Sequence, residues 1–275
     1  MPGRLHIHWF GRTEPDAPTI VLLHGITNSG AGWGDAVRRW SSTYRIAAID
    51  ALGHGESGRF TDDELSGEGE QAGAGAVEAL VTTTIAALEE IGAGSSPVLL
   101  LGHSMGGATA TVVAVRRPEL LRALIVEDPA WKLESLARQA SRGAAWVEFS
   151  AEARRDPAGM IAEKLSDSAS TWPHDEIEPW VRAKGQADPR FLAIGRPEMK
   201  EPWQQSVAAL TVPTLLVTGD GEVIVGLAIR AELGAIDNRL VEVVVIEGAG
   251  HSVRRDRADA FHAVVDPWIA ARFSG

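Results

Sequence analysis

Short, almost continuously apolar runs recur along this chain with helical patterns between them, and this alternation constrains the fold more than any other feature. The runs are 5–9, 19–23, 45–49, 98–101, 123–126, 214–218 and 241–246. Strands buried on both faces, as in a parallel sheet, have this composition. Helical apolar faces over 77–91 and 105–116 are closed by Gly92 and Pro118. This order predicts an α/β fold with an open, mostly parallel, doubly wound sheet.

The composition limits which binding partners and which cellular compartment are expected. The 275 residues carry 26 Lys and Arg against 37 Asp and Glu, a formal net charge of −11 without a block of like charge. Such an acidic surface repels nucleic acid and anionic membranes, so neither is an expected partner. The absence of cysteine excludes disulfides, thiolate nucleophiles and cysteine-based metal sites. Since the sequence also lacks a signal-peptide core and any apolar run near ~20 residues, a cytoplasmic location is expected.

Residues 131–204 interrupt the alternation. This stretch has no convincing strand, many Ala, Glu and Arg, and repeated Pro. We expect a helical insertion there, with 1–130 and 205–275 forming the core. The insertion holds five of the nine tryptophans: Trp131, Trp146, Trp172, Trp180 and Trp203. About two of the five are expected to line a pocket for an apolar or aromatic substrate, and the others to pack the helices.

A G-x-S-x-G sequence directly follows the apolar run 98–101. Gly102-His103-Ser104-Met105-Gly106 lies between a predicted strand and a predicted helix, which is the setting of a nucleophile elbow. A serine hydroxyl there needs a base, and His251, a few residues beyond the last predicted strand, is the candidate. The oxyanion needs two backbone N–H groups. We expect them from Met105 and from Ile26 in the loop after the second run.

Together these features resemble the α/β-hydrolase family, and the resemblance covers nearly the whole chain. The His24-Gly25 loop, residues 50–57, the Ser104 elbow and the His251 loop occur in the order and spacing of that family. The insertion 131–204 falls where the family has its cap domain. The resemblance therefore implies an α/β-hydrolase fold with a helical cap, and a Ser-His-acid triad that requires no cofactor and no metal.

The resemblance also implies an acidic member of the triad. The family usually carries it after the penultimate strand, in a pattern like G-x-x-D followed by apolar residues and Pro. Glu222 falls on that position, with Glu in place of the commoner Asp and Gly226 in place of Pro. Some relatives take the acid from the end of the strand after the elbow, where this chain has Glu127 and Asp128. The hypothesis is Glu222, with Asp128 as the alternative and Glu127 behind it.

Two other motifs resemble ligand-binding patterns, but we interpret neither of them as a binding site. Residues 53–58 match G-x-G-x-x-G, but residues 59–64 have no helical apolar face and place acids where a pyrophosphate would lie. No dinucleotide site is therefore expected. His6 and His8 share one face of a strand without an evident third ligand, so no metal site is expected there.

The predicted activity is hydrolysis of a carboxylic ester or lactone of an apolar or aromatic small molecule. Ser104 argues against the chemistry of haloalkane dehalogenase and epoxide hydrolase relatives, which use Asp at the elbow. A Glu acid and a Trp-rich cap also occur among lactonase relatives. The same triad supports C–C or amide bond hydrolysis, and the fold also serves ligand receptors with incidental turnover. These alternatives stay open.

Overall fold

The computed structural model describes residues 5–66, 73–131, 136–167, 170–195 and 201–274. Within these ranges one sheet has the spatial order β1-β3-β2-β4-β5-β6-β7. Strand β1 pairs with β3 in antiparallel orientation, and the other neighbours are parallel. The predicted mostly parallel sheet is confirmed, and each apolar run contributes a strand. The strands are β1 (Ile7–Gly11), β2 (Thr19–Leu23), β3 (Arg45–Ile49), β4 (Val98–His103), β5 (Leu121–Glu127), β6 (Thr214–Gly219) and β7 (Val241–Ile246).

Helices follow most of the strands. α3 ends where Gly92 adopts a left-handed φ of 96°, and α4 spans the predicted residues. In chain order the helices are α1 (Gly34–Trp40), α2 (Asp62–Leu65), α3 (Ala74–Ile91), α4 (Met105–Arg116), α5 (Leu136–Arg155), α6 (Pro157–Ser166), α7 (His174–Gln186), α8 (Pro189–Ile194), α9 (Trp203–Ala208), α10 (Leu227–Gly234), α11 (Val253–Asp256) and α12 (Ala258–Phe273). No helix in the described ranges is long and apolar enough to cross a membrane.

Buried apolar side chains form a layer on each face of the sheet. Val21 and Leu100 belong to one layer, which also receives side chains from α3 and α4. Ile20 and Leu99 belong to the other, together with side chains from α1 and α12. Consecutive strand residues point to opposite faces, so a strand covered on both faces must be apolar throughout. This explains why the runs showed no polar alternation.

The segment between β5 and β6 is helical where it is described. Helices α5 to α9 lie there, and α5 packs against both α7 and α8. Phe191 of α8 is buried in a cluster with Leu52 and Phe60, so this segment also packs on residues of the first half of the chain. The division into a core and a cap at 131–204 stays a prediction, because the helices themselves do not define a boundary.

Candidate active site

Ser104 occupies a sharp turn between β4 and α4. Its backbone has φ 53° and ψ −115°, values that a residue with a side chain rarely adopts. A Cβ at Gly102 would lie 2.3 Å from the Gly106 carbonyl oxygen, and a Cβ at Gly106 would lie 2.3 Å from the Leu23 carbonyl oxygen. Only glycine lets the strand, the turn and the helix approach this closely. The turn holds Ser104 at the carboxyl edge of the parallel strands.

A chain of hydrogen bonds joins Ser104, His251 and Asp128. His251 Nε2 lies 3.0 Å from Ser104 Oγ, and His251 Nδ1 lies 2.6 Å from Asp128 Oδ2. Because a carboxylate only accepts, the proton of the neutral imidazole is on Nδ1. Nε2 is then free to accept the proton of the serine hydroxyl. The residues that directly follow β4 and β5 are brought together in this way with a residue of the loop after β7.

Asp128 is fully buried and its carboxylate is saturated with donors. Oδ1 accepts from Thr218 Oγ1 at 2.8 Å and from the Val225 N–H at 2.9 Å. Oδ2 accepts from the Ile224 N–H at 2.9 Å and from His251. Each oxygen thus accepts two hydrogen bonds, which fixes the orientation of the carboxylate and compensates for its burial.

The carboxylate on His251 is therefore Asp128, the alternative acid, in place of Glu222, the favoured one. The loop after β6 approaches the site as expected, but it contributes the backbone N–H groups of Ile224 and Val225 to Asp128. The Glu222 side chain is left exposed where this loop borders the cavity. The departures from the family pattern at positions 222 and 226 were the sequence signal for this difference.

Glu127, the remaining candidate, is directed elsewhere. Adjacent strand residues point to opposite faces, and Glu127 Oε1 accepts from the Arg254 N–H at 2.8 Å. Burial raises the pKa of Glu127, an effect that the nearby Arg254 partly offsets. Among the described residues, Glu127 Oε2 has no hydrogen-bond partner.

The two residues expected to bind the oxyanion lie beside Ser104. Ile26 and Met105 both line the cavity into which the serine faces. Met105 is the first residue of α4, so its N–H has no acceptor within the helix and lies at the positive end of the helix dipole. His24 holds the other loop, since its ring bonds the Gly25 carbonyl at 2.7 Å and accepts the Ala51 N–H at 2.9 Å.

His103 supports the loop that carries His251. Its Nε2 donates to the His251 carbonyl oxygen at 2.9 Å, because a carbonyl only accepts. Burial, with His251 nearby, lowers the pKa of His103 well below its ordinary value. His103 is thus a neutral packing neighbour of the site.

The cavity above Ser104 has a volume of about 800 Å³. Three tryptophans of the insertion, Trp146, Trp172 and Trp180, line it, where two were expected. The remaining two, Trp131 and Trp203, stack on each other with ring centroids 5.3 Å apart and belong to the apolar layer of the sheet. Aromatic walls of this kind bind flat or apolar groups.

Residues 53–58 form a turn around one of the protein's own carboxylates. Asp50 Oδ2 accepts the Glu56 N–H at 2.9 Å, and Oδ1 accepts the Gly30 N–H at 2.6 Å. A Cβ at Gly55 would lie 2.1 Å from Asp50 Oδ2. Glycine is required here to admit Asp50, whose carboxylate occupies the turn where a dinucleotide phosphate would bind. His8 Nε2 bonds the same carboxylate at 3.1 Å.

Comparison with known proteins identifies the family. A sequence model described as the Alpha/beta hydrolase family matches residues 20–264. The chain belongs to the alpha/beta hydrolase family. This alpha/beta hydrolase is similar to Lipase LipV of Mycobacterium tuberculosis, with 30% identity over 75% of this chain and 68% of that protein. The predictions of the family, the fold and a hydrolase are confirmed.

Two further similarities extend over almost the whole alpha/beta hydrolase chain. A pimeloyl-[acyl-carrier protein] methyl ester esterase of Xanthomonas axonopodis pv. citri is 24% identical over 97% of this chain and 99% of that protein. The crystal structure of the enol-lactonase from Burkholderia xenovorans LB400 superposes with a TM-score of 0.67 at 20% identity, covering 97% of this chain and 96% of that one. At this identity the structural likeness is one of fold.

Lys184 is among the charged residues of the site that sequence reasoning missed. Lys184 of α7 lines the cavity and is only 3% exposed. A single lysine on a helix is normally solvated, so nothing in the sequence distinguished it from the other cations of the chain. Its burial depends on how α7 packs over the loop that carries Thr27.

Proposed function

We propose that this alpha/beta hydrolase cleaves a carboxylic ester or lactone through a covalent acyl-enzyme. The observation that carries the proposal is the hydrogen-bonded chain Ser104–His251–Asp128, with 3.0 Å and 2.6 Å between successive partners. Nucleophile, base and buried acid then have the roles they have in serine hydrolases of several unrelated folds. Asp128 replaces Glu222 as the proposed acid.

In the proposed mechanism Ser104 Oγ attacks the carbonyl carbon while His251 Nε2 takes its proton. Asp128 stabilises the resulting imidazolium, and the N–H groups of Ile26 and Met105 stabilise the oxyanion. His251 then protonates the leaving alkoxide, and the C–O bond breaks. A water that gives its proton to His251 hydrolyses the acyl-enzyme and regenerates Ser104.

The walls of the cavity support a small apolar or aromatic substrate. About 800 Å³ is within the range of sites for small molecules, and three tryptophans line the cavity. Phe191 adds a fourth aromatic side chain to the lining. These rings favour a substrate whose acyl or alcohol part has an apolar or planar surface.

The proposal is tested with wild-type protein and Ser104→Ala on p-nitrophenyl esters, lactones and anilides. We expect Ser104→Ala to lose at least about 10³-fold in kcat/KM, because no other group replaces the nucleophile. Ser252→Ala is the matched control, since it removes a hydroxyl from the same cavity, beside His251. It should stay close to wild type.

Covalent labelling separates the remaining alternatives. A sulfonyl fluoride should add one sulfonyl group to wild type and to Ser252→Ala, and none to Ser104→Ala, as measured by mass spectrometry. Faster cleavage of anilides than of esters would favour an amide hydrolase. A folded wild-type protein that is neither labelled nor active would contradict the mechanism and favour a ligand receptor.

A further inference from the structure

Lys184 is a buried lysine whose amine makes only weak contacts within the protein. Its Nζ lies 3.3 Å from Thr27 Oγ1 and 3.5 Å from the Thr27 carbonyl oxygen, at the long end of the range for hydrogen bonds. The same Nζ lies 3.7 Å from the ring centroid of Trp180 and 5.3 Å from that of Phe149. An ammonium has three strong N–H donors. These contacts replace little of the hydration that Lys184 loses on burial.

The neighbouring buried cations differ from Lys184 in having a carboxylate. Arg254 and Arg255 both donate to Glu176, with distances of 2.6–2.8 Å. No carboxylate among the described residues forms an ion pair with Lys184. Burial lowers the pKa of Lys184 well below its ordinary value, and the positive charge of Arg255 adds to the effect. A buried ammonium without an anion is costly, and an anion from a ligand would remove that cost.

The charge of the cavity contrasts with that of the whole protein. The chain has a formal net charge of −11. The residues that line the cavity nevertheless include four cationic side chains, those of Arg138, Arg142, Lys184 and Arg255. Glu222 is the single carboxylate in the same lining. Clefts lined by charge of one sign attract ligands of the opposite sign. Arg255 is paired with Glu176, so Lys184 is the buried cation of this lining that no described carboxylate pairs.

We propose that Lys184 binds a free carboxylate of the substrate. The substrate class is then esters or lactones that carry a second, ionised carboxyl group, such as half-esters of dicarboxylic acids. This inference rests on the proposed hydrolase function and names the substrate class for the same site. A single ammonium balances the single charge of a carboxylate, while the rings of Trp180 and Phe149 lie beside the same Nζ.

The contacts of Lys184 indicate where the carboxylate lies. Thr27, which contacts Lys184 Nζ, directly follows Ile26, one of the two residues proposed to bind the oxyanion. The two adjacent Cα atoms are about 3.8 Å apart. A carboxylate on Lys184 is therefore expected at the Thr27 side of the cavity, next to the proposed oxyanion site. Half-esters of short dicarboxylic acids are the first substrates to test.

The test compares a matched pair of substrates. Monomethyl succinate carries a carboxylate, and methyl 4-oxopentanoate has a neutral ketone of similar size in its place. We expect Lys184→Met to lower kcat/KM for monomethyl succinate about 30-fold or more, mainly through KM, with less than about 3-fold change for the neutral ester. Hydrolysis is followed by acid release, and monomethyl glutarate and adipate extend the series.

Two variants control for charge and for folding. Arg182→Met removes an exposed cation from the same helix and should leave both substrates unchanged. Lys184→Arg keeps a cation in the cavity and should retain the preference for the half-ester, which also keeps the test decisive if Lys184→Met is unstable. An equal loss on both substrates would contradict the proposal, because it would mean that Lys184 only holds the Thr27 loop.

Binding of succinate tests the subsite without turnover. In a Ser104→Ala background, succinate should bind the cavity by calorimetry, and Lys184→Met should weaken binding about 30-fold or more. Equal affinity for both proteins would overturn the carboxylate subsite even if ester hydrolysis is established. Conversely, Lys184-dependent succinate binding in a protein without esterase activity would support the subsite and contradict the proposed function.

Discussion

Asp128 shows how much one residue of this protein depends on its surroundings. It directly follows β5 with a φ of 37°, and five hydrogen bonds involve it: four to its carboxylate and one from its own N–H to the Val217 carbonyl. A backbone in this region is unfavourable for a residue with a side chain. The donors around the carboxylate offset that cost and direct the carboxylate to His251.

The proposed acid is Asp128 and no longer Glu222, and this assignment leads to a prediction for single residues. Asp128→Asn should lower kcat about 10³- to 10⁴-fold, because the amide no longer fixes the proton of His251 on Nδ1. Glu222→Gln should stay within a few-fold of wild type, since Glu222 is exposed. Steady-state kinetics on the same ester measure both. The reverse ranking of the two variants would return the role to Glu222.

The ion-pair cluster of α7 and α11 connects the helical insertion to the end of the chain. Glu176 of α7 accepts hydrogen bonds from Arg254 and Arg255 of α11, and both arginines also donate to the Gly32 carbonyl oxygen. Glu176 Oε1 further accepts the Asp35 N–H at 3.0 Å. α11 begins two residues after His251, so this cluster fixes α7 relative to the loop that carries His251.

Removing the charge of Glu176 should destabilise this contact between elements. Glu176→Gln leaves the buried Arg255 guanidinium without its carboxylate and leaves Arg254 with Glu127 at 3.7 Å, which is expected to cost about 3–5 kcal/mol in the free energy of unfolding. Glu178→Gln is the matched control on the same helix, since its pair with Arg182 is exposed and should cost less than about 0.5 kcal/mol. Urea denaturation at pH 7 measures both. Similar losses for the two variants would contradict the role of the buried cluster.

At the scale of the whole molecule, stability in acid depends on buried carboxylates. Burial raises the pKa of Asp50, but the hydrogen bond from His8, the nearby His24 and the Glu56 and Gly30 N–H groups outweigh it and lower the pKa to about 2. The ordinary value is near 3.8. The charged form is thus favoured by folding, and its contribution is present above pH 4 and is lost as the pH falls toward 2.

Asp50→Asn should therefore destabilise the protein in a pH-dependent way. The difference in the free energy of unfolding between wild type and Asp50→Asn is expected to be about 1 kcal/mol smaller at pH 3 than at pH 6. Urea denaturation of both proteins at these two pH values measures it. A difference that does not change between pH 6 and pH 3 would show that the folded protein does not hold the pKa of Asp50 below its ordinary value.

Most of the fold could be predicted from local sequence patterns. The apolar runs contributed seven strands because residues buried on both faces of a sheet must be apolar, whatever their distant partners are. The Ser104 elbow could also be predicted from the sequence, because the close backbone packing of the turn requires glycine at 102 and 106. The pairing of Ser104 with His251 followed from the order of these motifs along the chain.

Only the tertiary structure decided which carboxylate contacts His251 and where Lys184 lies. Glu222 and Asp128 both follow strands of the sheet, and the choice depends on side-chain direction and on which loop supplies donors. Lys184 is buried because α7 packs over the Thr27 loop, a contact between residues 157 positions apart. Hydrophobic periodicity and steric demands act between near neighbours and are visible in sequence, whereas burial of a charge depends on distant segments that meet only in the folded chain.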